Sequence, residues 1–445
     1  CESLDSTGGW LSASRFKRCA YSMNSGSKQR WVVLVKQRSV ALVLLFVFLF
    51  HILRNLSGAY YLVLAGFCGL FFLLFINNWR DIKYSALGIF VIFFWTYASL
   101  VSVLWFDLYG DYSIGIFRLW ASLPLLFVAM VLARDNLKVP MQLISFFFSL
   151  AALSFLWQYV FGPIEWFAEA SERAGGARFA SLVGSLTAYG VMVGVPALAS
   201  LFYLKGWARV VCFFLLCLGA MLSLQKAALA NIVIVLFFAY WLKLIKKTYL
   251  FFTFLLAGLG LSVFFLADFG AGSLETVHRL IVGLLTSDSS VSQDVPFFES
   301  IFDRVTALPL ETLSFYGSEI LVLGAGVFGG GGVLGYAQYP MAHNGIVELL
   351  CIYGFIFGGL AVLLLLLLFV YSVFLLVFRR RKIACTELGF LCSAFIIWFV
   401  NYVFSGGGLF HPVGAALFWL VVFRFLYLLR RKRDVEHISK EVVYG

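Results

Sequence analysis

Apolar residues fill long runs along most of this chain, and the breaks between them are short and polar. Runs near 39–54, 58–77, 84–106, 116–133, 139–161, 181–204, 207–223, 227–243, 248–267, 353–378, 386–404 and 412–429 have the length and character of segments that cross about 30 Å of hydrocarbon as helices. The pattern predicts an all-α polytopic membrane fold with about twelve transmembrane helices.

One stretch departs from this rhythm. Between Asp268 and His343 the apolar residues recur at helical spacing and do not fill a continuous run. In SLETVHRLIVGLLTS, Leu274, Val277, Leu280, Ile281, Leu284 and Leu285 share a face, as do Phe298, Ile301, Phe302 and Val305 in FFESIFDRVTALP. Both read as amphipathic helices lying at an interface, the second ended by Pro309. LVLGAGVFGGGG follows and reads as loop, because each glycine costs about 1 kcal/mol relative to alanine inside a helix. Its amides could line an anion-binding nest or belong to a plain flexible connection.

The predicted organisation is then an N-terminal segment 1–38, spans one to nine over 39–267, a large loop 268–343, spans ten to twelve over 344–429, and a tail 430–445. The first segment is rich in Ser and Gly, is expected to be disordered, and shows no apolar core of a signal peptide.

Composition agrees with the pattern: 62% of residues are hydrophobic and 12% charged, and the mean hydropathy is +0.96. A water-soluble globule of this length is excluded. The net charge of +11 is distributed topologically. Lys17, Arg18, Lys28, Arg30, Lys36 and Arg38 precede the first span, and every second connection is basic, through Arg80 and Lys83, Arg134 and Lys138, Lys205 and Arg209, Lys243, Lys246 and Lys247, Arg379 to Lys382, and Arg430 to Arg433. By the positive-inside rule both termini lie in the cytoplasm, and 268–343 lies outside, which is periplasmic if the membrane is a bacterial inner membrane. The excess charge marks contact with membrane lipids rather than nucleic acid. Most cysteines fall in or beside spans, so no external disulfide framework is expected.

The informative charges are those on the outer side, where the rule makes Lys and Arg scarce. Arg54, Arg118, Arg173, Arg178, Lys226, Arg279, Arg304 and His343 stand near predicted outer span ends or in the outer loops. Each has a plain alternative. Arg178 and Lys226 could snorkel to headgroups, Arg304 could pair with Glu299 or Asp303, and His343 could be an interfacial tip beside the capping Asn344. Together, Arg178, Lys226, Arg304 and His343 match the needs of a diphosphate leaving group and a hydroxyl nucleophile. Cations hold the phosphates and offset developing charge, and an imidazole with a pKa near ~6.5 accepts the alcohol's proton. No Asp-x-Asp pair occurs in 268–343, so side chains rather than a metal are expected to neutralise the phosphates, with no cofactor.

AHNGIVELLCIYGFIFGGL resembles the His-Asn motif, apolar turn, glycine and long span of the O-antigen ligase and polymerase superfamily, membrane glycosyltransferases that use undecaprenyl-diphosphate-linked glycans. The Arg304 helix followed by LGAGVF, the entry ARFASLVGS, and LSLQKAALA resemble three further segments of that family. Lys226 stands where the family usually has arginine, so the charge is kept and the bidentate phosphate grip is not. SEILVLGAG replaces the usual His-Pro approach to the glycine turn. The resemblance covers about residues 165 to 430. It implies a GT-C-like fold, a periplasmic site under the large loop, and metal-independent transfer with inversion. His343 would be the base, Arg178, Lys226 and Arg304 the diphosphate contacts, and Asn344, Arg118 and Arg279 secondary candidates.

On that reading the donor is an undecaprenyl-diphosphate-linked glycan. The acceptor is lipid A-core for a ligase, or a second lipid-linked glycan for a polymerase. A transporter or flippase is the competing class, and it would be expected to show inverted repeats, interrupted helices or charge near the bilayer midplane. No clear repeat is visible, and nearly all ionisable residues sit at predicted span ends.

Overall fold

The computed structural model describes residues 39, 41–42, 86–104, 116, 119, 126, 128–164, 171–173, 176–183, 188–223, 225–245, 310, 322–326, 344–405 and 412–444. Its principal elements are α1 (Ala86–Leu104), α2 (Lys138–Phe161), β1 (Ser171–Arg173), β2 (Gly176–Arg178), α3 (Ala188–Met192), α4 (Gly194–Tyr203), α5 (Gly206–Leu222), α6 (Lys226–Trp241), α7 (Gly345–Phe378), α8 (Arg380–Ile383), α9 (Glu387–Ser405) and α10 (Pro412–Tyr444). Three helices, Lys138–Phe161, Gly345–Phe378 and Glu387–Phe404, are long and apolar enough to cross a membrane, and shorter apolar helices stand beside them. The predicted spans 58–77 and 248–267, nearly all of 39–54, and the two amphipathic stretches of the large loop lie outside the described residues.

The helices pack through small residues. On α2, Ser145 donates to the carbonyl of Pro196 at 2.9 Å, and Ser149 to that of Cys212 at 3.4 Å. Small side chains let α2 lie close to α4 and α5, and their hydroxyls bond to the neighbouring backbone. Residues around α9 are larger. Trp398 stacks on Tyr402 at 4.9 Å and meets Phe418 of α10 at 4.0 Å, filling the space between α9 and α10 with rings.

The predicted span 181–204 is helical from Ala188 to Tyr203. Val193, between α3 and α4, keeps helical dihedrals (φ −58°, ψ −25°), donating to Tyr189 O at 2.9 Å and accepting from Ala197 N–H at 3.0 Å, while Pro196 has no N–H to give and removes one bond from the ladder. The connection 162–181 contains a β ribbon, with Ser171 paired to Arg178 and Arg173 to Gly176, a small exception to the all-α class. The tail 430–445 continues α10 as helix to Tyr444.

α7 carries the predicted span 353–378 and a helical segment before it. A straight helix of its 34 residues would run about 51 Å, well beyond the hydrocarbon thickness. Gly354, at φ 71° and ψ 175°, divides it. Gly345 to Tyr353 is largely buried, whereas beyond the break Ile356, Leu367, Val370 and Phe378 are 65%, 57%, 61% and 75% exposed, as lipid-facing residues are. The break frees carbonyls that need donors in an apolar setting. Ala325 N–H donates to Cys351 O at 2.6 Å and Gly326 N–H to Ile352 O at 3.2 Å. LGAG is therefore a docking turn and not an anion nest, since those two amides bind the broken helix. The approach requires glycine on both sides. A Cβ at Gly354 would collide with the Val322 carbonyl, and one at Gly324 with the Ile352 carbonyl. Tyr97 of α1 fixes the turn from a third side, donating to Leu323 O at 2.7 Å.

Candidate functional site

The bundle has two chemically distinct ends. At one, the basic connections meet. Leu137 N–H donates to Glu387 Oε1 at 3.1 Å, Gln142 of α2 to Tyr203 O at 2.9 Å, and Arg380 Nε to Trp241 O at 3.0 Å, with the guanidinium carbon 4.1 Å from the Trp241 ring centre. Cys385 donates to Leu242 O at 3.2 Å. The connections carrying Arg134, Lys205, Lys243 and Arg379 to Lys382 therefore share this end.

The other end gathers what the sequence singled out on the described elements. Near the far end of α2, Gln158 donates to Ala180 O at 2.9 Å, and the Tyr159 ring meets Phe179 edge-on at 4.9 Å. That brings in the chain immediately after Arg178, the last residue of β2. Tyr159 also donates to Leu222 O at 3.1 Å, which fixes the tight connection from α5 to Lys226, the first residue of α6. The start of α7 is here too, since Gly345 packs against Tyr402, near the end of α9 that lies away from Glu387. Asn344 accepts from Ile346 N–H at 3.0 Å and Val347 N–H at 3.3 Å, so the residue following His343 caps the helix through its side-chain oxygen. Arg178, Lys226 and Asn344 are thus brought to one end, opposite the basic connections. Arg118, Arg279, Arg304 and His343, with Asp303 and Glu311, lie outside the described residues.

Between these positions lies a polar seam that the sequence reading passed over. Asn231, about 7.5 Å along α6 from Lys226, exchanges hydrogen bonds with Asn401 of α9, donating to its oxygen at 3.1 Å and accepting from its amide. Asn231 also donates to Gly190 O at 2.8 Å, near the end of the short α3. Next to Asn401, Tyr402 packs its ring tip against Gly345, where a Cβ would fall on the ring. Tyr402 is 1% exposed, and its hydroxyl is buried without a hydrogen-bond partner. One turn into α7, Glu348 is 9% exposed, within electrostatic reach of Tyr402 and Cys351. Gln158 and Gln225 are also buried at this end.

These groups had a signal in the sequence: single polar residues inside apolar runs, as in GIVELLC, LANIVIV and FVNYVFS. Intramembrane polar and ionisable residues are expensive and mark function more often than scattered surface charge does. Weighing only the basic residues near span ends hid them.

No protein-family model, no curated protein and no solved structure matches this chain.

Proposed function

We propose that this membrane protein is an inverting glycosyltransferase that moves a glycan from a polyprenyl diphosphate to a hydroxyl acceptor at the end opposite its basic connections. In the bacterial inner membrane, with both termini cytoplasmic, that end is periplasmic. His343 takes the proton of the acceptor hydroxyl as its oxygen attacks the anomeric carbon. The carbon–oxygen bond to phosphate breaks, and the diphosphate departs with the bonding pair, its charge met by Arg178, Lys226 and Arg304. An O-antigen ligase acting on lipid A-core is the form favoured, because a single large loop with two amphipathic stretches resembles that group. A polymerase joining lipid-linked repeats uses the same chemistry.

The observation that supports this reading is the convergence of Arg178, Lys226 and Asn344 at one end of the bundle. The test is transfer by the purified chain in lipid nanodiscs, from an undecaprenyl-diphosphate-linked glycan to lipid A-core or to a second lipid-linked glycan. His343→Ala is expected to lower the rate by about 10²–10⁴-fold, the range for loss of a general base. A rate within threefold of wild type removes the histidine from the mechanism. Activity is expected to survive EDTA, and a strict requirement for Mg²⁺ would overturn the side-chain neutralisation.

A polytopic transporter is the second reading, favoured by the break at Gly354 and by buried Glu348. Flux of a lipid-linked glycan across proteoliposomes, without covalent transfer, would establish it in place of the first.

A further inference from the structure

We propose that Tyr159, near the end of α2, is a positioning residue that fixes the spacing of Arg178 and Lys226 to suit the two phosphoryl groups of one diphosphate. The assignment deepens the transferase reading and rests on it for the diphosphate. A single side chain touches both cation-bearing segments. The Tyr159 ring meets Phe179, the residue after Arg178, edge-on at 4.9 Å, and its hydroxyl donates to Leu222 O at 3.1 Å. Leu222 ends α5, and Ser223 to Gln225 connect it to Lys226, which begins α6. Gln158, beside Tyr159 on α2, donates to Ala180 O at 2.9 Å and ties the chain after Arg178 to the same helix end.

A diphosphate differs from a monophosphate in presenting two charged groups at a separation set by their bridging oxygen. Cations on two chain segments match that separation best when the segments are fixed relative to each other before the ligand arrives, because no ordering is then left to be done on binding. Tyrosine suits the task, with a rigid ring and a donor at its tip. The last carbonyls of a helix have no donor within it, and the Tyr159 hydroxyl supplies one to Leu222, at the foot of the connection to Lys226. That cap needs the hydroxyl alone. The ring against Phe179 makes the same side chain a spacer between the Lys226 connection and the segment after Arg178. Tyr159 thus acts through the two cations, and they meet the phosphates.

The experiment compares farnesyl diphosphate with farnesyl monophosphate binding to the full chain in nanodiscs. Wild type is expected to prefer the diphosphate. Tyr159→Phe keeps the ring and removes the bond to Leu222; it is expected to weaken diphosphate binding about 3–10-fold, the worth of one hydrogen bond, with monophosphate affinity within about twofold of wild type. Unchanged diphosphate affinity would show that the hydroxyl sets nothing, and parallel loss of both ligands would show a merely structural role; either overturns the proposal. In a Lys226→Ala background the tyrosine has lost the cation its hydroxyl positions, so Tyr159→Phe is expected to add nothing further, and fully additive losses would sink the assignment. The two failures are distinguishable. A wild type that binds both lipids alike, or a preference that survives the Arg178→Ala, Lys226→Ala double variant, removes the diphosphate grip of the transferase reading and this proposal with it. A preference lost in that double variant and kept in full by Tyr159→Phe overturns the positioning role alone.

Discussion

The two ends of the bundle bury polar groups of different kinds. At the basic end, Arg424 is surrounded by acceptors. Its guanidinium donates to Glu387 Oε1 at 3.1 Å and Oε2 at 2.7 Å, and to the carbonyls of Ala133 at 3.1 Å and Arg134 at 3.3 Å. Glu387 in turn accepts from Leu137 N–H. One ion pair thereby joins α9, α10 and the entry to α2. At the opposite end the seam is made of neutral amides, Asn231 and Asn401 bonded to each other, while Tyr402 Oη and Gln158 Oε1 are buried with no partner, as Tyr203 Oη is at the basic end. Saturation marks a structural joint, since a buried charge is tolerated only when its hydrogen bonds are met.

The comparison is open to breaking from both sides. The largest stability effect is expected from Arg424→Met, which strands the Glu387 carboxylate. Loss of one partner of a buried pair costs about 3–5 kcal/mol, reduced here because the Glu387 side chain is 19% exposed. Thermal melting in detergent measures it, and the double variant Arg424→Met, Glu387→Met should recover most of the loss. A single variant with unchanged melting would mean the joint holds nothing. Gly354→Ala comes next, at more than the ~1–3 kcal/mol of a backbone conformation that essentially only glycine adopts, because its Cβ also meets the Val322 carbonyl. Limited proteolysis should then cut near the LGAG turn, and an unaltered pattern would refute the docking role. Asn401→Leu should cost about 0.6–1.7 kcal/mol, the range for interhelical bonds in membranes; melting of the Asn231→Leu, Asn401→Leu double variant close to that of the single shows whether the pair acts as a unit. The smallest effect belongs to Tyr402→Phe, expected within about 0.5 kcal/mol of wild type because no hydrogen bond is lost. A large destabilisation would make that hydroxyl a structural group like those at the basic end.

Much of the architecture was legible from the chain alone. Helices α1, α2, α5, α6 and α9 begin and end within a few residues of their predicted spans, because an apolar run in lipid must satisfy its own backbone and has only a helix with which to do so. The sharing of one end by the basic connections followed from the same alternation. Of the candidate site, Arg178, Lys226 and Asn344 were picked from residue type and position, and they fall at a common end. Glu348, Tyr402 and the Asn231–Asn401 pair were not picked, although Glu348 stands five residues after His343.

Sequence by itself determined where helices run and which connections carry positive charge, because hydropathy and charge are local quantities. Tertiary structure decided where helices stop within an apolar run. Gly354 breaks α7 while Gly358 and Gly359 do not, because the LGAG turn supplies donors to the carbonyls of Cys351 and Ile352 and to no others further on. It likewise decided which buried polar groups are saturated. A hydrogen bond between residues 170 positions apart, like that of Asn231 and Asn401, depends on how helices pack, and no local pattern records it.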